Sequence, residues 1–454
     1  MPPDPPVPPT PTVKGWYGVE VEEADSGPAK AVKRIASDMT LHSSLPIQSG
    51  MRRCLLKQDG YVNYYLDAND STLIADGTAA VLGGADGDVM VEIPEHWVLV
   101  TKEDTTLTVK LAMAEGELEG AQRVPLHYIS AYQVLVKSNN MYSVSGESAT
   151  GNLTIGQFRT AANKRNDKGI SGWSQMTYDY AVDLYWLFLV EYANRNSQAA
   201  VNNSLTPEGY RQGGLGMGCT YVDSISNWPA VTNGATNSLG NNSGEVSGVT
   251  PLSGSGTATV NSYRGIENPF GNLYTFYDGI VNIYGNIYRA SDPANFHSFF
   301  EESDENTTRD YSAGDVVIVD KEYAFYLCIA DSESGESLGN PTKFEPTDMA
   351  TLGYTLDAEY AKNVSGCLFT INNGASALGS ILAETAGGKS FDMNYCDYSG
   401  VGADSLRCVY GGGCSDHAGE EPIYGLAYVV ALGYGFGFTD ANFGSRLCYT
   451  ATSK

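Results

Sequence analysis

The sequence has few of the residues and patterns that mark catalytic or membrane proteins. It contains only 5 His in 454 residues, and its 8 Cys form no CxxC pair. HExxH and Walker sequences are missing, so general bases for neutral pH are scarce and zinc ligands are not paired. The most apolar stretch, AVDLYWLFLV, contains Asp183 and falls short of the roughly 20 residues that a membrane span needs. We therefore predict neither an enzyme nor a protein inserted in a membrane.

Positive charge is also scarce. The chain has 27 Lys+Arg against 53 Asp+Glu, for a formal net charge of -26. Such a charge repels phosphate backbones and anionic membrane surfaces, so nucleic acid is not expected as a partner. The acidic residues are spread along the chain, which is typical of a solvated surface. The first residues show neither a basic nor an apolar leader segment, so no secretion signal is expected.

The cysteines favour buried free thiols over a metal site or disulfides. The nearest approach to a ligand pair is Cys414 with His417, and no second pair accompanies it. Buried free thiols fit synthesis in a reducing compartment.

The first part of the chain divides into an arm and a β-rich region. Seven of the first eleven residues are Pro, which predicts an extended docking arm over residues 1–14. Alternation at Val89, Val91 and Ile93 indicates half-buried strands within a small β domain over 15–124. Residues 67–77 are predicted to form an Asx-rich turn rather than a calcium loop, since Thr72 stands where that loop needs Gly.

The rest of the chain predicts one helix and many short strands. Apolar residues at helical spacing between 171 and 196 predict a helix whose stripe packs on a sheet; the stripe is Met176, Tyr180, Leu184, Leu187 and Phe188. Residues 233–262 are polar and rich in Gly and Ser, which favours a long surface loop. Beyond Tyr263 the texture indicates short strands and structured loops. The expected fold class is α+β and β-rich.

Catalytic motifs match poorly. The GxSxG around Ser337 lacks the strand and helix of a nucleophile elbow, and GGLGMG at 213–218 lacks the spacing of a nucleotide loop. Acidic pairs such as Glu420 and Glu421 point to opposite faces of a strand, so no glycosidase pair is singled out.

The positive feature is aromatic. The chain holds 30 Tyr, 14 Phe and 5 Trp among Gly, Asn and Ser, a composition typical of recognition loops. Most of the Tyr residues are expected to fill sheet and core positions. A dense C-terminal run has two interpretations, surface recognition or burial; it comprises Tyr424, Tyr428, Tyr434, Phe436 and Phe438.

Several segments in order carry a resemblance to a known family. They are VPLHYISAYQ, WLFLVEYANRNSQAAVN, RQGGLGMG, YRGIENPFGNLYTFYDGI, RCVYGGG and NFGSRLCY. Together they resemble virion fibre and receptor-binding proteins of tailed phages of gut Bacteroidales (crAss-like). These proteins end in a C-type-lectin-like domain similar to that of formylglycine-generating enzymes. The resemblance covers roughly residues 50 to 454 and implies such a domain over 125–454.

The resemblance assigns scaffold and ligand positions. Gly271 would permit a turn before an aromatic strand with Tyr274, Phe276 and Asp278. Arg407 and the glycines at 411–413, with Gly444, Ser445 and Arg446, would form paired core strands. The loops between would carry the receptor-binding residues, for which the candidates are Ser415, Asp416, His417, Tyr424, Tyr428, Tyr434, Phe436, Phe438, Asp440 and Asn442.

Two further features bear on ligands. Formylglycine-generating enzymes use a thiol pair after the Gly-Gly, whereas here Cys414 has no second Cys until Cys448, so oxidase chemistry is not expected. Residues 307–347 resemble small carbohydrate-binding modules, which makes Tyr311, Tyr323 and Phe344 candidate sugar-stacking residues. A plain three-stranded insertion is the alternative.

The resemblance therefore implies a non-enzymatic virion fibre or spike subunit, made in the bacterial host cytoplasm and exposed on the virion surface. Its arm would bind other virion proteins, and its lectin-like domain would bind host surface polysaccharide or an outer-membrane protein. Fibre analogy implies a homotrimer. No cofactor is expected; some relatives of the fold bind calcium, but no motif here localises a site. The alternatives are a structural head decoration protein without receptor binding and a glycan-cleaving depolymerase.

Overall fold

A computed structural model describes residues 13–22, 27, 29–219, 228–319, 324–359, 364–367, 376–382, 398–401, 406–415, 425–431 and 433–451. The α+β, β-rich class is confirmed, with 37% strand and 11% helix. The helices are α1 Leu41–Ser44, α2 Pro46–Gly50, α3 Ile155–Asn163 and α4 Tyr178–Tyr192. Single 3-10 turns lie at Asn237–Leu239 and Pro293–Asn295.

The strands of the first half are β1 Trp16–Glu22, β2 Val32–Ala36, β3 Arg52–Leu56, β4 Val62–Tyr65, β5 Asp88–Ile93, β6 His96–Glu103, β7 Thr106–Ala112, β8 Gln122–Val124, β9 His127–Ser130, β10 Leu135–Lys137, β11 Asn140–Tyr142, β12 Trp173–Gln175, β13 Val201–Asn202 and β14 Gln212–Gly213. Those of the second half are β15 Gly244–Val249, β16 Ala258–Tyr263, β17 Ile266–Glu267, β18 Tyr274–Ile283, β19 Asn286–Arg289, β20 Ser298–Glu302, β21 Asp315–Val319, β22 Ala324–Cys328, β23 Phe344–Thr347, β24 Thr355–Glu359, β25 Val364–Cys367, β26 Tyr398–Val401, β27 Leu406–Gly411, β28 Val429–Ala431, β29 Phe443–Gly444 and β30 Leu447–Thr450.

The N-terminal region contributes to two sheets rather than one closed domain. A five-stranded antiparallel sheet has the order β2-β1-β7-β6-β8, and a six-stranded sheet has the order β12-β30-β9-β5-β3-β4. In the second sheet β5 pairs with β9, and β9 pairs with the C-terminal strand β30. The predicted boundary between residues 124 and 125 therefore falls inside one continuous structure. Strand β5 is buried along its whole length, not half-buried as its alternation predicted.

Helix α4 is buried on all sides. Its N-cap is Thr177, whose side chain accepts a hydrogen bond from the Tyr180 N–H, and it ends at Ala193 in the left-handed region. One apolar core combines α4 with residues of three sheets, such as Val109, Val89 and Ile280. The predicted stripe packs against the sheets as expected, and almost all the other side chains of the helix are buried as well, so α4 lies inside the core rather than on its surface.

Two histidines face Asp183, a buried acidic residue inside this helix. His96 Nε2 lies 2.9 Å from Asp183 Oδ1, and His127 Nε2 lies 3.9 Å from Asp183 Oδ2. The Nδ1 of each ring contacts a proline carbonyl two residues earlier, at Pro94 and Pro125. Both ring nitrogens of His96 face acceptors, so the ring is an imidazolium that donates at each nitrogen. Burial lowers the pKa of His96, but the Asp183 carboxylate has the larger combined effect, so the pKa is raised above its ordinary value. Burial lowers the pKa of His127 to about 4.

The segment 233–262 is a surface loop only in part, since much of 245–257 is exposed while other residues are buried. It contains β15 and β16, and Thr236 and Asn237 are buried. The Arg53 guanidinium is fully buried and donates to Thr236 Oγ1 and Asn237 Oδ1 at 3.0 Å each. It also donates to the Gly265 carbonyl at 2.6 Å. The polar residues are therefore inside because they satisfy a buried cation.

An eight-stranded sheet forms the frame of the C-terminal region. Strand β18 is buried throughout, and Gly271 has a positive φ of 96° in the turn before it, as predicted. Strand β27 pairs with β18 antiparallel, and β29 pairs with it in parallel. The predicted core strands around Arg407 and Gly444 are thus joined through β18. A separate four-stranded sheet has the order β20-β21-β22-β23. Three of its strands, β21 to β23, lie within the predicted insertion 307–347, as the three-stranded alternative has it, and β20 pairs with them from outside these bounds.

Two local predictions are confirmed. In the 67–77 turn, the side chains of Asp67, Asp70 and Asp76 accept hydrogen bonds from backbone N–H groups two residues ahead. All six described cysteines are buried free thiols, namely Cys54, Cys219, Cys328, Cys408, Cys414 and Cys448. Cys367 and Cys396 do not belong to this set: the Cys367 side chain is not described, and Cys396 lies outside the described residues. Among the described residues, no helix is long and apolar enough to cross a membrane.

Replacing Asp183 by Ala is expected to lower the free energy of unfolding by about 3–5 kcal/mol, because it leaves the buried His96 without its counter-charge. Urea unfolding at neutral pH measures the change. Glu103→Ala, at an exposed carboxylate, is the control and is expected to stay within about 0.5 kcal/mol of the wild type. An Asp183→Ala protein as stable as this control would contradict the prediction.

The free energy of unfolding is expected to fall as pH falls from 6.5 towards 4, because His127 must be neutral in the fold while the unfolded chain takes up a proton. His42, whose pKa burial also lowers to about 4, contributes in the same direction. The variant His127→Phe keeps a ring against Tyr180 and should reduce the slope by about 1.4 kcal/mol per pH unit at its steepest. Urea titrations across this range test the slope, and an unchanged slope in the variant would count against it.

Candidate functional site

The C-terminal aromatic run is organised around one buried ring. Phe443 opens β29 beside Tyr274 of β18 and is 1% exposed. Five rings have centroids between 4.8 and 5.3 Å from its own; they belong to Tyr274, Phe276, Tyr410, Tyr434 and Phe438. Edge-to-face and tilted aromatic packing of this kind stabilises a cluster beyond its buried area.

Two rings of the cluster reach the surface. Tyr434 and Phe438 are stacked, with centroids 3.6 Å apart and planes 15° apart, and both are half-buried. Their loop is held by the backbone, because the Cys408 N–H donates to the Tyr434 carbonyl at 2.9 Å and the Phe438 N–H donates to the Gly435 carbonyl at 3.1 Å. The stacked pair is therefore a rigid, partly exposed aromatic face.

The inserted sheet completes this surface. Phe436 packs edge-on against Phe299 of β20 at 5.5 Å, which fixes the loop to the sheet. The guanidinium of Arg309, an exposed residue, lies 4.5 Å from the centroid of the Phe300 ring. A Cβ placed on Gly437 would lie 3.4 Å from Arg309 Nη2, so this guanidinium borders the loop.

We define the aromatic surface as Phe300, Arg309, Tyr434, Phe438 and Asp440. Asp440 is exposed, and its carboxylate accepts a hydrogen bond from the Asn442 N–H at 3.3 Å. Half-exposed rings suit the apolar face of a sugar ring, while a guanidinium and a carboxylate suit its hydroxyl groups. The surface thus presents half-exposed rings together with one positively charged and one negatively charged residue.

The predicted receptor-binding residues divide into three groups. Tyr434 and Phe438 stack on each other at the aromatic surface, Asp440 is exposed two residues further along the chain, and Asn442, whose N–H donates to Asp440, is half-buried. Ser415, Tyr428 and Phe436 are buried, so their prediction as contact residues is corrected: Phe436 anchors the loop, and Ser415 donates its N–H to the Asn272 carbonyl. Asp416, His417 and Tyr424 lie outside the described residues.

The predicted sugar-stacking residues of the insertion are core residues. Tyr311 and Phe344 are 3% and 1% exposed and pack together inside the four-stranded sheet. The Tyr311 hydroxyl donates to the Glu302 carboxylate at 2.7 Å. Neither ring has a free face, because each points into the small core that the insertion needs. Tyr323 lies outside the described residues. The sequence did not mark Phe300, which lies on β20 before the insertion, or Arg309, which lies within it.

A cleft of about 720 Å³ was also missed. Its walls come from residues 122–125, 163–180 and 291–294 with Leu378 and Thr450, and they include Trp173 and Tyr180. Because these segments are far apart in the chain, only folding brings them together. Within the described part of the chain, no group of three or more His, Cys, Asp or Glu is arranged to hold a metal ion.

No protein-family model matches the chain, and no curated protein is significantly similar to it.

Replacing Phe443 by Ala is expected to lower the free energy of unfolding by about 3–5 kcal/mol, because a fully packed ring is lost from the centre of the cluster. Phe438→Ala removes a half-buried ring and should cost clearly less. Denaturant unfolding of both variants measures the difference. Equal losses would mean that Phe438 is as much a core residue as Phe443.

Proposed function

We propose that the protein is a non-enzymatic subunit of a phage fibre or spike, exposed on the virion surface, that binds a carbohydrate on the host cell through the aromatic surface. The observation that carries this proposal is the stacked pair Tyr434 and Phe438, half-exposed beside the Arg309 guanidinium. A ring pair held this firmly loses little entropy when it binds a sugar.

The strand pairing supports a display function. Strand β9, at the start of the region 125–454, pairs with β30 at its end, so the chain between them leaves and returns at one place. The six-stranded sheet ties that place to β5 and β3 of the N-terminal region. A C-type-lectin-like arrangement of residues 125–454 fits this closure and belongs to the proposal.

The remaining parts of the proposal concern assembly. The Pro-rich arm, residues 1–14, would bind other virion proteins, since proline-rich segments dock at low entropic cost. A homotrimer would present several copies of the aromatic surface. Weak contacts at single sites then gain avidity when several engage one polysaccharide.

The variant Arg309→Ala is expected to reduce binding to host cells about tenfold or more when the protein is displayed in many copies, because the guanidinium contact to the sugar is lost. Flow cytometry of host cells with labelled multivalent protein measures binding. The matched control is Lys110→Ala, whose ammonium lies 4.6 Å from the centroid of the Trp16 ring in the five-stranded sheet.

Equal loss in both variants would exclude a specific role for the aromatic surface. If the unmodified protein binds no host cells at any valency, the adhesin proposal fails and a structural head decoration protein is the better account. Release of reducing ends from host polysaccharide would instead indicate a depolymerase.

A further inference from the structure

A second, polar pocket lies at the C-terminal end of helix α4. It has a volume of about 350 Å³ and is lined by Glu191, Asn203, Arg211, Leu239, Asn242, Ser243 and Arg264. Its size is at the small end of ligand pockets, which suits a single sugar ring. Its walls come from the helix, the loop between β13 and β14, the 3-10 turn at Asn237–Leu239 and the turn between β16 and β17.

The carboxylate at the base of the pocket is already neutralised. Glu191 is 1% exposed, and Arg264 Nε donates to both of its carboxylate oxygens at 3.0 and 3.1 Å. Arg264 Nη2 donates to Oε1 at 2.5 Å, and the Tyr263 hydroxyl donates to Oε2 at 3.2 Å. Glu191 therefore has little capacity left to pair with a second cation.

A second guanidinium, that of Arg211, lies near the ion pair of Glu191 and Arg264. Arg211 Nε lies 4.0 Å from Glu191 Oε1, which is beyond hydrogen-bond distance, and its side chain is 38% exposed. The guanidinium of Arg34 donates hydrogen bonds to the backbone carbonyls of Glu191 and Arg211. Two guanidinium groups, those of Arg264 and Arg211, thus face one buried carboxylate, and a third, that of Arg34, contacts the backbone carbonyl of the same residue. Glu208, the other carboxylate that interacts electrostatically with Arg34, is exposed to solvent.

This concentration of positive charge contrasts with the chain as a whole, whose formal net charge is -26. A guanidinium fork matches a planar carboxylate and binds it with two parallel hydrogen bonds. Asn203, Asn242 and Ser243 line the same pocket with neutral polar side chains; the Asn242 amide also donates to the Ala68 and Leu239 carbonyls, and Ser243 Oγ accepts from the Arg264 N–H. Side chains of these kinds can form hydrogen bonds with sugar hydroxyls. The pocket therefore offers one anion site with neutral polar groups around it.

We propose that this pocket binds the carboxylate of an acidic sugar residue, a hexuronate, with Arg211 as the principal contact and Arg264 at the base. The proposal rests on the proposed function for the source of the sugar, namely an acidic host polysaccharide. The binding itself is tested without host cells.

The test is a ligand-observed NMR titration of the whole protein with glucuronate and, separately, with glucose. Glucuronate is expected to bind in the millimolar range and at least tenfold more tightly than glucose. Arg211→Ala should weaken glucuronate binding about tenfold, and Arg211→Lys should restore part of the loss. Arg123→Ala is the matched control, since Arg123 is exposed and forms an ion pair with Glu95 at the surface, and it should leave binding unchanged.

Three results would overturn the proposal: equal affinity for glucose and glucuronate, binding that survives Arg211→Ala, or inorganic sulfate that binds as tightly as glucuronate, which would indicate an unspecific anion site. If the protein binds glucuronate but adheres to no host cell, the hexuronate pocket is supported and the adhesin function is excluded. If Arg211→Ala leaves host-cell binding intact and the protein binds no glucuronate, the adhesin function is supported and the hexuronate pocket is excluded.

Discussion

The fold depends on the pairing of two carboxylates within a helix that is buried on all sides. Leaving either one unpaired in the core would cost several kcal/mol, so each must meet a cation. Asp183 meets His96 from the five-stranded sheet and faces His127 from the six-stranded sheet. Glu191 meets Arg264 from the turn that joins β16 to β17. Each of these sheets is therefore fixed in position against α4.

The pairing of a buried carboxylate with a cation also organises the C-terminal region. Asp278 lies in the buried strand β18, and Arg159 of α3 binds both of its carboxylate oxygens at 2.7 Å. This pair joins the helix to the sheet, and the rings of β18 then pack around Phe443. Tyr434 and Phe438 of the aromatic surface are the outer edge of that packed cluster, so two large rings that are partly exposed also pack against Phe443.

The two proposed binding sites differ in their physics. The aromatic surface offers apolar ring faces with charged groups at their rim, whereas the pocket beside α4 offers fixed positive charge in a strongly acidic protein. An acidic polysaccharide presents both kinds of partner, because its rings have apolar faces and its uronate residues carry carboxylates. The overall negative charge would repel such a polymer from the rest of the surface and favour contact at these places.

Much of the local structure follows from neighbouring residues. The β-rich class, the Asx turns at 67–77, the buried thiols and the turn at Gly271 before an aromatic strand depend on composition and on spacing of a few residues. The candidate site was predicted in part: the dense aromatic run located Tyr434 and Phe438, but alternation alone could not separate them from buried Phe436. The sequence also contains a repeated pattern that the sequence analysis did not use, a Pro two residues before a His. It occurs at Pro94 and at Pro125, and both histidines face Asp183.

What the tertiary structure alone decided was which polar and aromatic residues lie inside. Thr236 and Asn237 of the polar segment 233–262 are buried, because their side chains satisfy Arg53, nearly two hundred residues earlier, whereas much of 245–257 is exposed. Tyr311 and Phe344 look like exposed sugar platforms, but the small insertion needs them as its core. Both sites join segments distant in sequence, so no local pattern reveals them. Sequence determines what each segment favours locally, whereas burial depends on partners that only folding brings within reach.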